Sequence, residues 1–166
     1  LLLRHTTEEL RELITKSQEM YPKIWPGIKW SERKMQWTAP SGAKLWLSYL
    51  DKDQDVTRYQ GLAFSWIGFD ELTQWATPFA WSYMRSRLRS ADPTLPLSMR
   101  ATTNPGGRGH HWVKKMFIDP APAGKSYIAT DIETGEQLKY PAGHEKAGRP
   151  LFKRRFIPAR LKDNPY

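Results

Sequence analysis

The sequence predicts an α/β fold, and three observations carry that expectation. A short apolar strand, Leu1–Arg4, runs straight into a helix-start signal at Thr6. The run Leu62–Phe69 is hydrophobic on both faces, as a central strand of a parallel sheet must be. Strand-like and helix-like stretches then alternate along the chain, the pattern of a sheet layered with helices.

The elements follow in order. Thr6-x-x-Glu9 has the spacing of a capping box, in which hydroxyl and carboxylate satisfy the orphan amides of a helix start. Leu10, Leu13, Ile14 and Met20 recur at helical spacing, which predicts a helix to about Tyr21-Pro22. A Trp-rich patch (Trp25, Trp30) precedes two β-like runs, Met35–Thr38 and Lys44–Leu50, around Pro40-Ser41-Gly42; these read as a hairpin. "DKDQDVTRYQG" is a polar connection into the central strand. Thr77-Pro78 opens the next helix, with Pro at the first helical position, where its missing N–H does no harm. Phe79, Tyr83, Met84 and Leu88 are its expected packing face. "LSMRATTN" is a short strand that Asn104-Pro105-Gly106-Gly107 ends, and His110–Ile118 is a short helix. "YIATDIETGEQLKY" reads as a surface hairpin turning at Thr134-Gly135, and Phe152–Ile157 as a last strand.

Composition narrows the class. At 166 residues, 39% hydrophobic and 13% aromatic, the chain has material for one domain with a real core. No run approaches the ~18 apolar residues of a membrane helix, and the start lacks the layout of a signal peptide. With no cysteine, disulfide scaffolds and thiolate metal sites are excluded, and an intracellular protein is expected. The net charge of +9 is uneven: residues 1–99 carry 13 Lys/Arg against 11 Asp/Glu, residues 100–166 carry 13 against 6. Such a basic half suits a polyanion such as nucleic acid, and equally suits plain solubility. The chain begins inside a strand, without Met, so a fragment of a longer protein is expected.

Asp70 and Glu71 stand at the end of the central strand, where open parallel sheets bind their ligands. One carboxylate there can hold a Mg²⁺ that sits on phosphate, and its neighbour can take a proton from an attacking water. Many strands end in acidic residues, so the pair alone also fits a solvated strand end. Thr102, Thr103 and Asn104 fall at the end of the next strand and can line the same sheet edge. Their hydroxyls and amide can feel whether a γ-phosphate is present, and Gly106 and Gly107 let the loop beyond change shape. A polar strand exit is the plainer reading.

Read together, "YQGLAFSWIGFDELTQW", "SRLR", "MRATTNPGGRGHHWVKKMFID" and "RFIPARLKDNPY" resemble the large subunit of tailed-phage terminases, the ATP-driven motors that package DNA into a prohead and cut it. The resemblance spans nearly the whole chain and is weakest over residues 120–150. It implies a P-loop NTPase-type open sheet, mostly parallel, with helices on both faces and an added β-hairpin, truncated before the P-loop strand. Residues 1–166 would then be a partial ATPase domain, without the C-terminal nuclease domain. Asp70 would be the Walker B aspartate holding Mg²⁺ through water, and Glu71 the base that activates the hydrolytic water of ATP hydrolysis. Thr102, Thr103 and Asn104 would form the coupling motif. Arg58 lies where related motors place an arginine finger; Gln60 stands in closest register, so Arg58 also fits a surface contact. Implied partners are double-stranded DNA, a terminase small subunit, the portal protein and a homo-oligomeric ring, in the cytoplasm of an infected bacterium.

The G-x-x-x-x-G-K-[ST] loop that holds nucleotide phosphates does not occur in these residues. Hydrolysis by this piece alone is therefore not expected. Lys153, Arg154 and Arg155 are candidate DNA contacts, although strand alternation should turn one of them away from the other two. His110-His111 is a poor metal pair, because adjacent helical residues point about 100° apart. The eight tryptophans read as core rather than as base-stacking platforms. Two other functions stay open: a different nucleic-acid motor such as a helicase, against which "TTNPGG" argues, and an inactive prophage remnant or non-catalytic DNA-binding or assembly piece.

Overall fold

In the computed structural model, which describes residues 1–159 and 163, a six-stranded mixed sheet organises the first of two compact units, Leu1–Gly109. Strand β1 (Leu2–Arg4) feeds helix α1 (Thr7–Ile24), whose capping box forms as the Thr6 and Glu9 spacing requires. The helix runs past Pro22 to Ile24, so proline is accommodated in its last turn instead of ending it. Strands β2 (Lys29–Ser31), β3 (Gln36–Thr38) and β4 (Lys44–Tyr49) form an antiparallel meander. The sequence reading had only β3 and β4; Trp30 opposite Trp37 extends the hairpin by a third strand. The polar connection folds into a 3-10 helix, Asp53–Tyr59, which buries Val56 and Tyr59.

The central apolar run becomes strand β5 (Trp66–Phe69) in its second half only. Its first half turns aside, and Phe64 makes an isolated parallel bridge to Leu88. Helix α2 (Phe79–Arg85) and strand β6 (Ser98–Ala101) follow, giving the order β2-β3-β4-β1-β5-β6. The pairs β4–β1, β1–β5 and β5–β6 are parallel, so the fold is α/β with a parallel core and an antiparallel extension.

Register explains the layering. Leu2 lies level with Leu47 and Gly68, and Leu2 and Leu47 belong to the cluster under α1 with Leu10, Ile14 and Trp37. Leu3 lies level with Phe69 on the opposite pleat, where the Phe69 ring meets Trp75 and Trp81 of the β5–α2 segment. The sheet is therefore covered by α1 on one face and by Trp81 of α2 on the other. The inward face of α2 is Ala80, Trp81 and Met84; Phe79, expected to pack, is 49% exposed. The helix runs only from Phe79 to Arg85, so Pro78 is its N-cap and Leu88, expected on the packing face, lies beyond its end. Of the eight tryptophans read as core, Trp37, Trp75, Trp81 and Trp112 are buried, Trp30, Trp46 and Trp66 are half-buried, and Trp25 is exposed.

The second unit, from His110 on, holds helix α3 (His110–Val113), a π-helical turn (Lys114–Ile118) and the antiparallel strands β7 (Ser126–Ile128) and β8 (Lys153–Arg155). Thr130 bridges Gln137 around the Asp131–Gly135 turn, so the expected hairpin is present as a single bridge. The end of "RFIPARLKDNPY", residues 160–162 and 164–166, lies outside the described residues. Among the described residues no helix is long and apolar enough to cross a membrane.

Candidate functional site

The site is built by strand register. Leu2 sits beside Gly68, and Gly68 beside Arg100. Two residues further along each strand, the same alignment brings Arg4, Asp70 and Thr102 into one row at the carboxyl ends of β1, β5 and β6. The backbone confirms the continuation: Asp70 N–H donates to the Leu3 carbonyl (2.9 Å), and Thr102 N–H to the Phe69 carbonyl (3.0 Å). Asp70 is thus held from both sides. The Thr102 hydroxyl donates to Oδ1. Arg4 Nε lies 2.7 Å from Oδ2, but without the alignment of a hydrogen bond, so the buried Nε has a charge partner and no hydrogen bond.

Glu71 leaves the row. Its backbone is left-handed (φ 59°, ψ 53°), a conformation that a side chain with a Cβ adopts at a cost. Surroundings hold it there: Glu71 N–H donates to Thr102 Oγ1 (3.4 Å), and Asn104 Nδ2 donates to Glu71 Oε1 (3.3 Å). The turn brings the two carboxylates into different settings, Asp70 between cation and hydroxyl, Glu71 against an amide.

Behind the carboxylates the two loops are joined. Thr73 N–H donates to Thr103 Oγ1 (3.1 Å), the Thr103 hydroxyl lies 2.8 Å from Thr73 Oγ1, and Gly109 N–H donates to the Thr73 carbonyl (2.7 Å). Gly107 packs on that same carbonyl: an added Cβ would come within 2.8 Å of it, and its φ is +77°. The structure therefore brings Asp70, Glu71, Thr102, Thr103 and Asn104 into one hydrogen-bonded network.

Arg58, the candidate arginine finger, has partners of its own. Arg58 Nη2 donates to the Tyr49 carbonyl (2.8 Å) and lies 3.4 Å from Asp55 Oδ2, with its guanidinium over the Tyr49 ring. It is engaged with its own chain as a surface contact. On β8 the burial alternates as strand geometry requires. Arg154 is 7% exposed and donates to the Thr130 carbonyl (2.9 Å), while Lys153 and Arg155 are exposed. His110 and His111 meet edge to face, their centroids 5.6 Å apart.

Two participants escaped the sequence reading. Arg4 was visible as the charged end of an apolar strand, the same signal that singled out Asp70, but its pairing needed the β1–β5 register. Thr73 had no signal beyond its place just after Glu71.

No protein-family model matches this chain, and no curated protein matches it. Chemistry alone must judge what the network can hold. Among the described residues no three His, Asp or Glu side chains group to hold a metal ion. Mg²⁺ does not require that, since it keeps several waters and leans on one or two carboxylates plus phosphate oxygens. A carboxylate offers about four lone-pair directions, of which the Thr102 hydroxyl uses one, while Arg4 adds positive charge beside Oδ2 without a hydrogen bond. Asp70, partly open with its side chain 21% exposed, fits a metal held through water.

Proposed function

We propose that this chain is the Walker B and coupling part of the ATPase motor of a tailed-phage terminase large subunit, which hydrolyses ATP with Mg²⁺ to drive double-stranded DNA into a prohead. The finer fold reading goes with it: a P-loop NTPase-type sheet whose phosphate loop belongs to the parent protein. The observation that supports this most is the Arg4–Asp70–Thr102 row with Glu71 held by Asn104. The two segments that carry the resemblance are far apart in sequence yet share hydrogen bonds at the carboxyl edge of a parallel sheet, where such ligands bind.

In this reading Asp70 would hold Mg²⁺ through water, and the metal would supply positive charge toward the phosphate oxygens. Glu71 orients and deprotonates the attacking water; its strained turn sets the carboxylate apart from Asp70, and the Asn104 amide holds one of its oxygens. Thr102, Thr103 and Asn104 touch both carboxylates and the Thr73 loop. A change felt at Asp70 or Glu71 therefore has a bonded route into the Asn104–Gly109 loop. Lys153 and Arg155 are the basic side chains on β8 that remain available to DNA phosphates. The small subunit, the portal protein, the homo-oligomeric ring and the infected-host cytoplasm belong to the same proposal.

The test starts with the coding sequence upstream of Leu1. An in-frame G-x-x-x-x-G-K-[ST] is expected there, and the protein made from that longer frame should hydrolyse ATP only with Mg²⁺ and faster with double-stranded DNA. An unrelated upstream sequence, or a longer protein without ATP turnover, would favour the inactive remnant.

A further inference from the structure

We propose that Arg4 is a positioning residue that makes the admission of a divalent cation at Asp70 depend on phosphate. The inference rests on the reading of Asp70 as the metal-holding carboxylate, and it assigns a role to a residue outside the two sequence motifs.

The Arg4 side chain is 17% exposed and that of Asp70 21%, so the pair is largely withdrawn from water. Its Nε is buried, 2.7 Å from Oδ2 and without a hydrogen bond. A guanidinium kept in such a place contributes charge more than geometry, because an aligned bidentate fork would be the stronger and more specific arrangement. Thr102 takes the other oxygen, so the carboxylate is fixed in rotamer and compensated in charge. A dication approaching Asp70 alone meets a fixed positive charge already in contact with its ligand. A dication arriving with polyphosphate brings negative charge of its own, which the same guanidinium favours. Arg4 thereby suppresses metal binding to the empty site and permits it when phosphate accompanies the metal.

The test is Mn²⁺ titration by electron paramagnetic resonance on the whole chain without nucleotide, comparing wild type, Arg4→Gln, Arg4→Met and Arg4→Lys, each with and without Asp70→Asn. Arg4→Gln and Arg4→Met should bind Mn²⁺ at least about tenfold more tightly than wild type, since the removed charge opposed it. Arg4→Lys should return affinity toward wild type, and Asp70→Asn should abolish the gain. A merely structural arginine would weaken the site when removed, so the direction separates the two roles. Equal or weaker binding in the Gln and Met variants overturns the role of Arg4 and leaves the reading of Asp70 intact. A gain that survives Asp70→Asn also overturns it. No Mn²⁺ binding by any variant overturns the metal reading of Asp70 and this inference with it. Should the neutral variants not fold, the wild-type Arg4 Nε–Hε resonance decides: it should move when Mg²⁺ is added with triphosphate and stay in place with Mg²⁺ alone. A resonance indifferent to both contradicts the proposal.

Discussion

Thr102→Val should destabilise the first unit by about 1–1.5 kcal/mol through the loss of one hydroxyl. That hydroxyl donates to the Asp70 carboxylate and accepts the Glu71 N–H at 3.4 Å. A hydrogen bond to a charged group is worth about 1.5–3 kcal/mol when sheltered. Thr102 is exposed, so water replaces part of it and the low end applies; the long Glu71 contact adds little. Valine keeps the β-branched shape, and the backbone bonds from Thr102 N–H to Phe69 and from Leu72 N–H to Thr102 are untouched. With a urea slope of about 1–3 kcal/mol/M, the midpoint should fall by roughly 0.3–1.5 M. Thr102→Ser should recover most of it, and the loss should shrink in an Asp70→Asn background, because the two residues share one interaction. A Thr102→Val midpoint indistinguishable from wild type would refute the claim that this hydroxyl secures Asp70.

Other perturbations follow from the same structure. Ser17→Ala strips the acceptor from the buried Trp37 Nε1, which lies 3.0 Å from Ser17 Oγ, and should cost about 1–3 kcal/mol in thermal or urea unfolding. Gly107→Ala puts a Cβ against the Thr73 carbonyl at φ +77° and should cost about 1–3 kcal/mol, read as a lowered urea midpoint. Glu71→Gly should be more stable than Glu71→Ala by about 1 kcal/mol: both lose the carboxylate, and only alanine pays the left-handed strain. Burial raises the Tyr59 phenol above its ordinary value of 10.0, the hydrogen bond to Ser48 opposing this. The unfolded chain therefore loses that proton first, so stability is intact below pH 10 and falls as pH rises through the folded-state value. Tyr59→Phe should flatten that alkaline decline in unfolding measurements.

The sequence showed what its local chemistry encodes. The capping box at Thr6 and Glu9, the β3–β4 hairpin and the central strand running up to Asp70 rest on local pattern and are present, whereas the strand read as reaching Asn104 stops at Ala101. Partners chosen by register were hidden. Nothing in "LLLRH" shows that Arg4 will lie beside Asp70, because that depends on β1 inserting between β4 and β5. The apolar stripe of α2 was misplaced because Phe79 stays outward while Trp81 packs on Phe69. Strand alternation already set one of Lys153, Arg154 and Arg155 against the other two, and the pairing of β7 with β8 shows Arg154 to be the buried one. The left-handed turn at Glu71 had no sequence signal, since glycine or asparagine would ordinarily mark it.

With an upstream frame that supplies the proposed phosphate loop, the most direct measurement is ATP turnover by the Glu71→Gln variant of that protein, beside its affinity for ATP. Hydrolysis should fall by about 10²–10⁴-fold, the usual worth of a general base, while ATP binding stays near wild type. Turnover that survives the substitution, or falls only as far as binding does, would contradict the assignment of Glu71 and with it the proposed motor site.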